Sequence, residues 1–217
     1  MKVFWVSGSP YSWRVLLALQ IKGLAFHSRM LGDEEGGLDS PELRSINPYG
    51  TVPTLVDGDL VLTDSIGILF YLDRLKAAPP LFGESPIEAG TIWQRVFAFV
   101  DHFEAHSKAI VKTFYAGEAE SCRAGIADDA VKVRGELARI EARFSGTWMV
   151  GESLTAADLV SYPFLKSLFR AAGRPEAQSH LLELLPVDRR FPAIAAWMAR
   201  IEALPGYDRT YPPGWIS

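Results

Sequence analysis

Thr54-Leu55-Val56-Asp57-Gly58-Asp59-Leu60-Val61-Leu62 sets an Asp-Gly pair between two short apolar runs. That is the sequence form of a tight β-hairpin, so the stretch predicts two adjacent antiparallel strands. Toward the N-terminus, residues 2–6 hold an apolar run too short for a signal-peptide hydrophobic region, and they read as a buried strand. Residues 11–22 carry Val15, Leu16 and Leu19 at helical spacing, and Gly23 stands where a helix stops. Residues 25–31 read as a second strand. A strand, a helix and a strand in so short a span imply a right-handed parallel crossover. Residues 33–40 are polar and glycine-rich and read as a loop, and 41–46 as a short helix. Beyond the hairpin, Asp64-Ser65 opens a helix that runs to about residue 75.

The order is therefore βαβ followed by ββα, with a parallel pair and an antiparallel hairpin in one mixed four-stranded sheet. This is the thioredoxin-like arrangement. Three prolines between residues 77 and 86 mark a linker. Beyond it the pattern turns helical, near 86–115, 121–144, 156–172, 177–185 and 192–204. The expected organisation is a thioredoxin-like domain over 1–76, a linker over 77–85 and an all-helical domain over 86–217. Within the latter, Leu154-Thr155-Ala156-Ala157-Asp158-Leu159 reads as a capping box with a hydrophobic staple. Breaking it should cost about 1 kcal/mol.

The composition bounds the function. Of 217 residues, 48% are hydrophobic and the net charge is −4, which excludes a mainly disordered chain. No basic excess or stripe suggests a nucleic-acid partner. Cys122 is the one cysteine, so neither an internal disulfide nor a multi-cysteine metal site is available. No run approaches the roughly 18 apolar residues of a membrane span, and a cytoplasmic protein is expected.

Three short segments can carry chemistry. Ser9-Pro10 lies at the first strand-to-helix turn. Ser9 is a natural N-cap with Pro10 at the first helical position. A hydroxyl there also sits where backbone N–H groups and the positive end of the helix dipole favour an anion, and a thiolate would be such an anion. The turn has no cysteine, so cysteine redox chemistry at this place is excluded. The second segment is Asn47-Pro48-Tyr49-Gly50-Thr51-Val52-Pro53-Thr54-Leu55, where Pro53 leads a strand. A trans peptide before it would be ordinary. A cis Val52-Pro53 bond would expose the Val52 N–H and C=O to an extended, peptide-like ligand. The third is Thr63-Asp64-Ser65-Ile66, either a plain helix cap or a site where Ser65 takes a ligand carboxylate and Asp64 a ligand ammonium.

In this order the three segments, together with Leu154-Thr155-Ala156-Ala157-Asp158, resemble the cytosolic glutathione transferase superfamily over essentially the whole chain. Ser9-Pro10-Tyr11 is similar to the serine-type, tau-like form, and Ser12-Trp13-Arg14-Val15 to the zeta class. The resemblance implies glutathione as co-substrate and no metal. Ser9 would be the catalytic residue stabilising the glutathione thiolate. Thr51, Val52 and Pro53 would line the cysteinyl backbone, and Asp64 and Ser65 would hold the γ-glutamyl end. Two positions depart from the pattern. Thr51 stands where many members carry a lysine before Val-Pro, and Asp39 where tau members carry another. Both remove cations that would meet the glycyl carboxylate, with Arg44 and Lys76 as the possible replacements.

The electrophile pocket is expected to use Tyr11, His106, Tyr115 and Trp215. His102 and His106 could share a helix face, but Phe103 stands where a zincin places glutamate, so a pocket wall or an exposed face is expected instead of a zinc site. Cys122 is expected to be structural. Tyr49 stands near the loop where related classes insert an aromatic into a partner subunit, which points to a homodimer. The expected activity is glutathione transfer to a small hydrophobic electrophile. The alternatives are a glutathione-dependent cis–trans isomerase acting on maleyl keto acids and a non-catalytic binding protein of the same fold.

Overall fold

The computed structural model describes residues 1–144, 146–177, 180 and 182–215. The chain divides into two compact units. One is Met1–Phe82 together with Leu204–Ser217, and the other is Gly83–Ala203. The C-terminal segment thus groups with the first unit, whereas the sequence assigned it to the helical domain.

In the first unit, β1 (Lys2–Trp5) is central. It pairs in parallel with β2 (His27–Met30), Val3 opposite Ser28, and antiparallel with β3 (Thr54–Asp57), Val3 opposite Leu55. β4 (Leu60–Leu62) closes the edge, with Leu55 opposite Leu62. The order β2-β1-β3-β4 is the expected mixed four-stranded sheet. Asp57 still pairs with Leu60, so the hairpin turn is Gly58-Asp59 and β3 is one residue longer than the apolar run suggests. Residues 33–40 are more ordered than a plain loop. They form two 3-10 turns, Asp33–Glu35 and Gly37–Asp39, and α2 (Pro41–Ile46) follows. Glu42 of α2 takes Lys2 Nζ at 2.5 Å and Arg29 Nε at 2.9 Å, which ties this helix to β1 and β2. The hydrogen bonds from Lys2 and Arg29 hold its carboxyl below the usual range.

Helix α1 (Pro10–Lys22) starts at the Ser9 cap and ends at Gly23 in the left-handed conformation. It is buried almost all round. Beyond the expected Val15, Leu16 and Leu19, the side chains of Trp13, Leu17 and Ala18 are also covered, with α3 (Ser65–Leu75) and the C-terminal turn Tyr207–Thr210 packed against the helix. Lys22 is buried too. Its Nζ meets Asp73 Oδ1 at 2.9 Å and donates to the carbonyls of Lys76 and Pro79 at 2.7 and 2.8 Å. Asp73 Oδ1 also accepts from Leu81 N at 2.8 Å. These bonds fasten residues 76–81 to the first unit. That is why the unit runs to Phe82, when proline content alone suggested a linker from 77.

In the second unit, α4 (Pro86–Phe99), a π-helical turn Val100–Glu104 and α5 (Ala105–Tyr115) form one continuous path. α6 (Arg123–Arg143) and α7 (Ala156–Ala172) follow, then the Pro192–Glu202 helix. The helix expected near 177–185 falls partly outside the described residues, and Pro175–Ala177 and Leu182–Leu184 form 3-10 turns on either side. α7 is the core of the unit, with all but its Lys166 and Arg170 positions buried. Its capping box forms as expected, but Asp158 does more than cap. Oδ2 accepts from Thr155 N at 2.8 Å, while Oδ1 accepts from Met149 N at 2.9 Å and from Trp197 Nε1 at 2.7 Å. Its complete burial pushes the carboxyl above the usual range, against the pull of these donors. Cys122 is exposed, contrary to the structural role expected of it.

Candidate functional site

β1 gives way to α1 through the turn Val6-Ser7-Gly8-Ser9. Ser9 N donates to Val6 O at 3.4 Å, and Gly8 takes φ +80°, the value a type II turn demands at its third residue. Ser9 is extended (φ −73°, ψ 115°), and its Oγ accepts from Ser12 N at 3.2 Å. Its carbonyl accepts from Trp13 N at 3.0 Å. The capping reading is therefore realised. It does not exhaust the hydroxyl, which keeps one O–H to donate while a lone pair accepts. Ser9 can cap α1 and donate to an anion at the helix N-terminus at the same time.

The loop before β3 is built by Asn47. This side chain is fully buried. Its Nδ2 meets Thr51 O, Thr51 Oγ1 and Thr54 Oγ1 at 3.0, 3.1 and 3.0 Å, and its Oδ1 accepts from Tyr49 N at 3.1 Å. The Val52-Pro53 bond is cis. Pro53 is buried, and Thr51 is held by Asn47 at the exposed rim. Among the described residues neither the N–H nor the C=O of Val52 pairs with another backbone group, so both are free for an extended ligand.

Asp64 caps α3, with its Oδ1 accepting from Gly67 N at 2.8 Å, and Ser65 occupies the first helical position. Behind Ser65 lies a residue that the sequence reading passed over. Arg14 is 1% exposed, donates from Nη1 to Ser65 Oγ at 3.3 Å, and stands 5.2 Å from the centre of the Tyr11 ring. A buried guanidinium raises the positive potential where a ligand carboxylate would meet Ser65. The available signal was an arginine amid the apolar face of α1. Asn47 was likewise quoted only as part of its motif. The signal for it was an amide beside a proline-bounded loop, a place where backbone groups need partners.

The replaced cations resolve differently. Arg44 Nη2 meets Asp39 Oδ1 at 2.5 Å, and Nη1 donates to Pro48 O at 2.8 Å. Its guanidinium lies so close over Gly50 that a Cβ there would come 2.3 Å from Cζ. Lys76 Nζ instead donates to Lys22 O at 2.5 Å. Arg44 is therefore placed at the Gly50-Thr51-Val52 loop, and Lys76 is engaged elsewhere.

Among the electrophile-pocket candidates, Tyr11 and Trp215 belong to the first unit, and His106 and Tyr115 to the second. Trp215 packs on the turn at Gly8. His106 Nδ1 is paired with Asp129 Oδ1 at 2.7 Å. Tyr115 Oη accepts from Arg170, and the Arg174 guanidinium lies 5.1 Å from its ring centre. His102 is exposed and lies within the π-helical turn Val100–Glu104, whereas His106 lies in the first turn of α5. Among the described residues no cluster of three or more His, Cys, Asp or Glu is placed to hold a metal. No helix there is long and apolar enough to cross a membrane.

Comparison with known proteins identifies the family. The glutathione S-transferase N-terminal domain family matches residues 8–75, and the glutathione S-transferase C-terminal domain family matches residues 105–205. The chain is 28% identical to glutathione S-transferase A of Pleuronectes platessa, with 100% of this chain and 93% of that protein covered. It is 27% identical to a probable maleylacetoacetate isomerase of Vibrio cholerae, with 96% and 93% covered. A crystal structure of a glutathione S-transferase from the Antarctic clam Laternula elliptica superposes with a TM-score of 0.79 at 24% identity, covering 99% of this chain and 93% of that one. With both halves matched in order and the fold shared along the chain, this protein belongs to the cytosolic glutathione S-transferase superfamily.

Proposed function

We propose that this chain, a glutathione transferase by family, holds the glutathione thiol as a thiolate at Ser9 for attack on a small hydrophobic electrophile. The observation that carries the reading is Ser9 Oγ at the N-terminus of α1, capping the helix while retaining a hydroxyl proton to donate. A free thiol has a pKa near 8.5, and each unit of lowering corresponds to about 1.4 kcal/mol. One charge-assisted hydrogen bond with the helix dipole supplies a lowering of about one to two units. The thiolate sulfur then forms a bond to the electrophilic carbon. The leaving group departs with the electron pair, or a proton is taken up where the electrophile is an activated alkene.

The Val52 N–H and C=O pair with the cysteinyl backbone of glutathione, flanked by Thr51 and Pro53. Ser65, backed by Arg14, takes the γ-glutamyl carboxylate, and Asp64 takes its ammonium. Tyr11, two residues past Ser9, is the electrophile contact of this unit. Of the helical candidates, Tyr115 presents a half-exposed ring, whereas His106 is engaged by Asp129. The protein acts in the cytoplasm as a homodimer, a reading supported by Tyr49, which is 81% exposed on the ordered Asn47 loop.

A second reading has a specific observation behind it. Ser12-Trp13-Arg14-Val15 and the likeness to a probable maleylacetoacetate isomerase favour glutathione-dependent cis–trans isomerisation. In that case glutathione adds to a maleyl keto acid and is released unchanged. Turnover of such an acid without loss of free thiol would select it.

The experiment is Ser9→Ala, assayed with glutathione and a nitro-activated aryl chloride, with calorimetry of glutathione binding alongside. A fall in kcat of about tenfold or more with modest change in binding is expected, the usual size of one lost electrostatic contact in a transition state. Unchanged kcat rejects the role of Ser9. Absence of binding to the parent chain at millimolar glutathione selects the non-catalytic alternative.

A further inference from the structure

Among the described residues the Val6–Ser9 turn is closed internally by one long hydrogen bond, Ser9 N to Val6 O at 3.4 Å, and it hinges on a glycine. The C-terminal segment supplies what the turn lacks. Gly214 N donates to Ser7 Oγ at 3.0 Å. The Trp215 indole lies against Gly8, so that a side chain there would begin 3.1 Å from Trp215 Nε1. The same segment grips α1 one turn past Ser9. Trp13, 1% exposed, donates from Nε1 to Thr210 Oγ1 at 3.1 Å. The Trp13 ring is met edge-on by Tyr211 at 5.6 Å and by Trp215 at 5.4 Å, and Tyr207 stands at 6.1 Å. Ser9 is thus bracketed on both sides by residues about two hundred positions later in the chain.

We propose that Ser7 and Trp215 are positioning residues that clamp the Val6–Ser9 turn, holding the Ser9 hydroxyl and the α1 N–H groups in the setting that stabilises the thiolate. This rests on the reading of Ser9 given above. It also gives Trp215 a role different from lining the electrophile pocket. The turn alone, with its permissive glycine and one weak closing bond, leaves Ser9 free to shift. A displacement of about 1 Å at such a group can cost on the order of a hundredfold in rate. The docked segment removes that freedom through the Gly214–Ser7 bond and the indole surface.

The test compares Ser7→Ala, Trp215→Leu, Ser9→Ala and the Ser7→Ala/Ser9→Ala double variant. The readouts are the ultraviolet thiolate absorbance of bound glutathione as a function of pH, and kcat/KM with glutathione and a nitro-activated aryl chloride. Both tail variants are expected to raise the apparent pKa of the bound thiol. They should lower kcat/KM at neutral pH roughly threefold to tenfold while glutathione affinity stays within about twofold, since the shift is one of orientation. In the Ser9→Ala background the effect of Ser7→Ala should be clearly smaller, because most of what the clamp positions is then missing. Titrations of Ser7→Ala and Trp215→Leu that superimpose on the parent overturn the proposal. So does a Ser7→Ala effect that persists undiminished without the Ser9 hydroxyl. If Trp215→Leu fails to fold, Ser7→Ala decides alone, since it removes a single oxygen. If Ser9→Ala itself leaves the titration unmoved, the thiolate reading falls. If Ser9→Ala moves it and the tail variants do not, only the clamp falls.

Discussion

Arg44 and Asp39 form an ion pair at 2.5 Å, with side chains 43% and 81% exposed. A pair so open to water holds itself together by only about 0–1 kcal/mol, so a carboxylate arriving with a ligand can displace Asp39 from the guanidinium. Arg44 also donates to Pro48 O and packs over Gly50, which keeps it at the loop whichever partner it has. Under the proposed function, Arg44 meets the glycyl carboxylate and Asp39 competes with it. Asp39→Asn should therefore tighten glutathione binding about twofold to fivefold, and Arg44→Ala should weaken it about fivefold or more, within the range of one charged hydrogen bond. Calorimetry at low ionic strength measures both, and no change in either variant would remove Arg44 from the site. Ser9, Val52, Asp64 and Ser65 were legible as candidates because capping, strand-leading and turn chemistry each leave a short local signature. Arg14 and Arg44 were not placed by such signatures. Their meaning depends on a serine and a glycine that only folding brings beside them.

At the scale of the element, Asp158 shows how a local motif is enlarged by its surroundings. A capping box alone is worth about 1 kcal/mol. Here the same carboxylate also accepts from Met149 N and Trp197 Nε1, donors well outside α7. Asp158→Ala leaves several buried donors without an acceptor, at about 1–3 kcal/mol each. Urea denaturation should show a loss of about 3 kcal/mol or more, whereas Thr155→Ala should cost about 1 kcal/mol. Equal effects would mean that Asp158 acts as a cap only. α6 and the Pro192–Glu202 helix offer a parallel case. Glu141 of α6 accepts from Ala193 N and Ile194 N at 2.7 and 2.9 Å, supplying from another helix the cap that Phe191 cannot provide.

At the scale of the whole molecule, the proposed homodimer is the property to measure first. Tyr49 exposes 81% of its surface on a loop made rigid by Asn47, and an aromatic in that state buries large area on contact at little entropic cost. Sedimentation of the parent chain should give a dimer at micromolar concentration. Tyr49→Ala should shift it toward monomer by about tenfold or more in dissociation constant, as loss of an anchoring aromatic does. A monomeric parent would withdraw the dimer reading. The sequence by itself determined the mixed four-stranded sheet, the helical remainder, the start and stop of α1 and α3, and the serine at the helix N-terminus. Hydrophobic period, glycine and proline punctuation and cap residues act over a few positions, so they can be read without knowing what lies across space. Only the tertiary structure decided that residues 76–81 are fastened through Lys22 and Asp73, and that Leu204–Ser217 returns to the first unit. The same holds for Arg14 standing behind Ser65 and for the turn before Ser9 carrying Trp215 against its glycine. Each of these contacts joins residues distant in the chain, through burial and hydrogen-bond satisfaction, and those are set by the packed whole rather than by any local run.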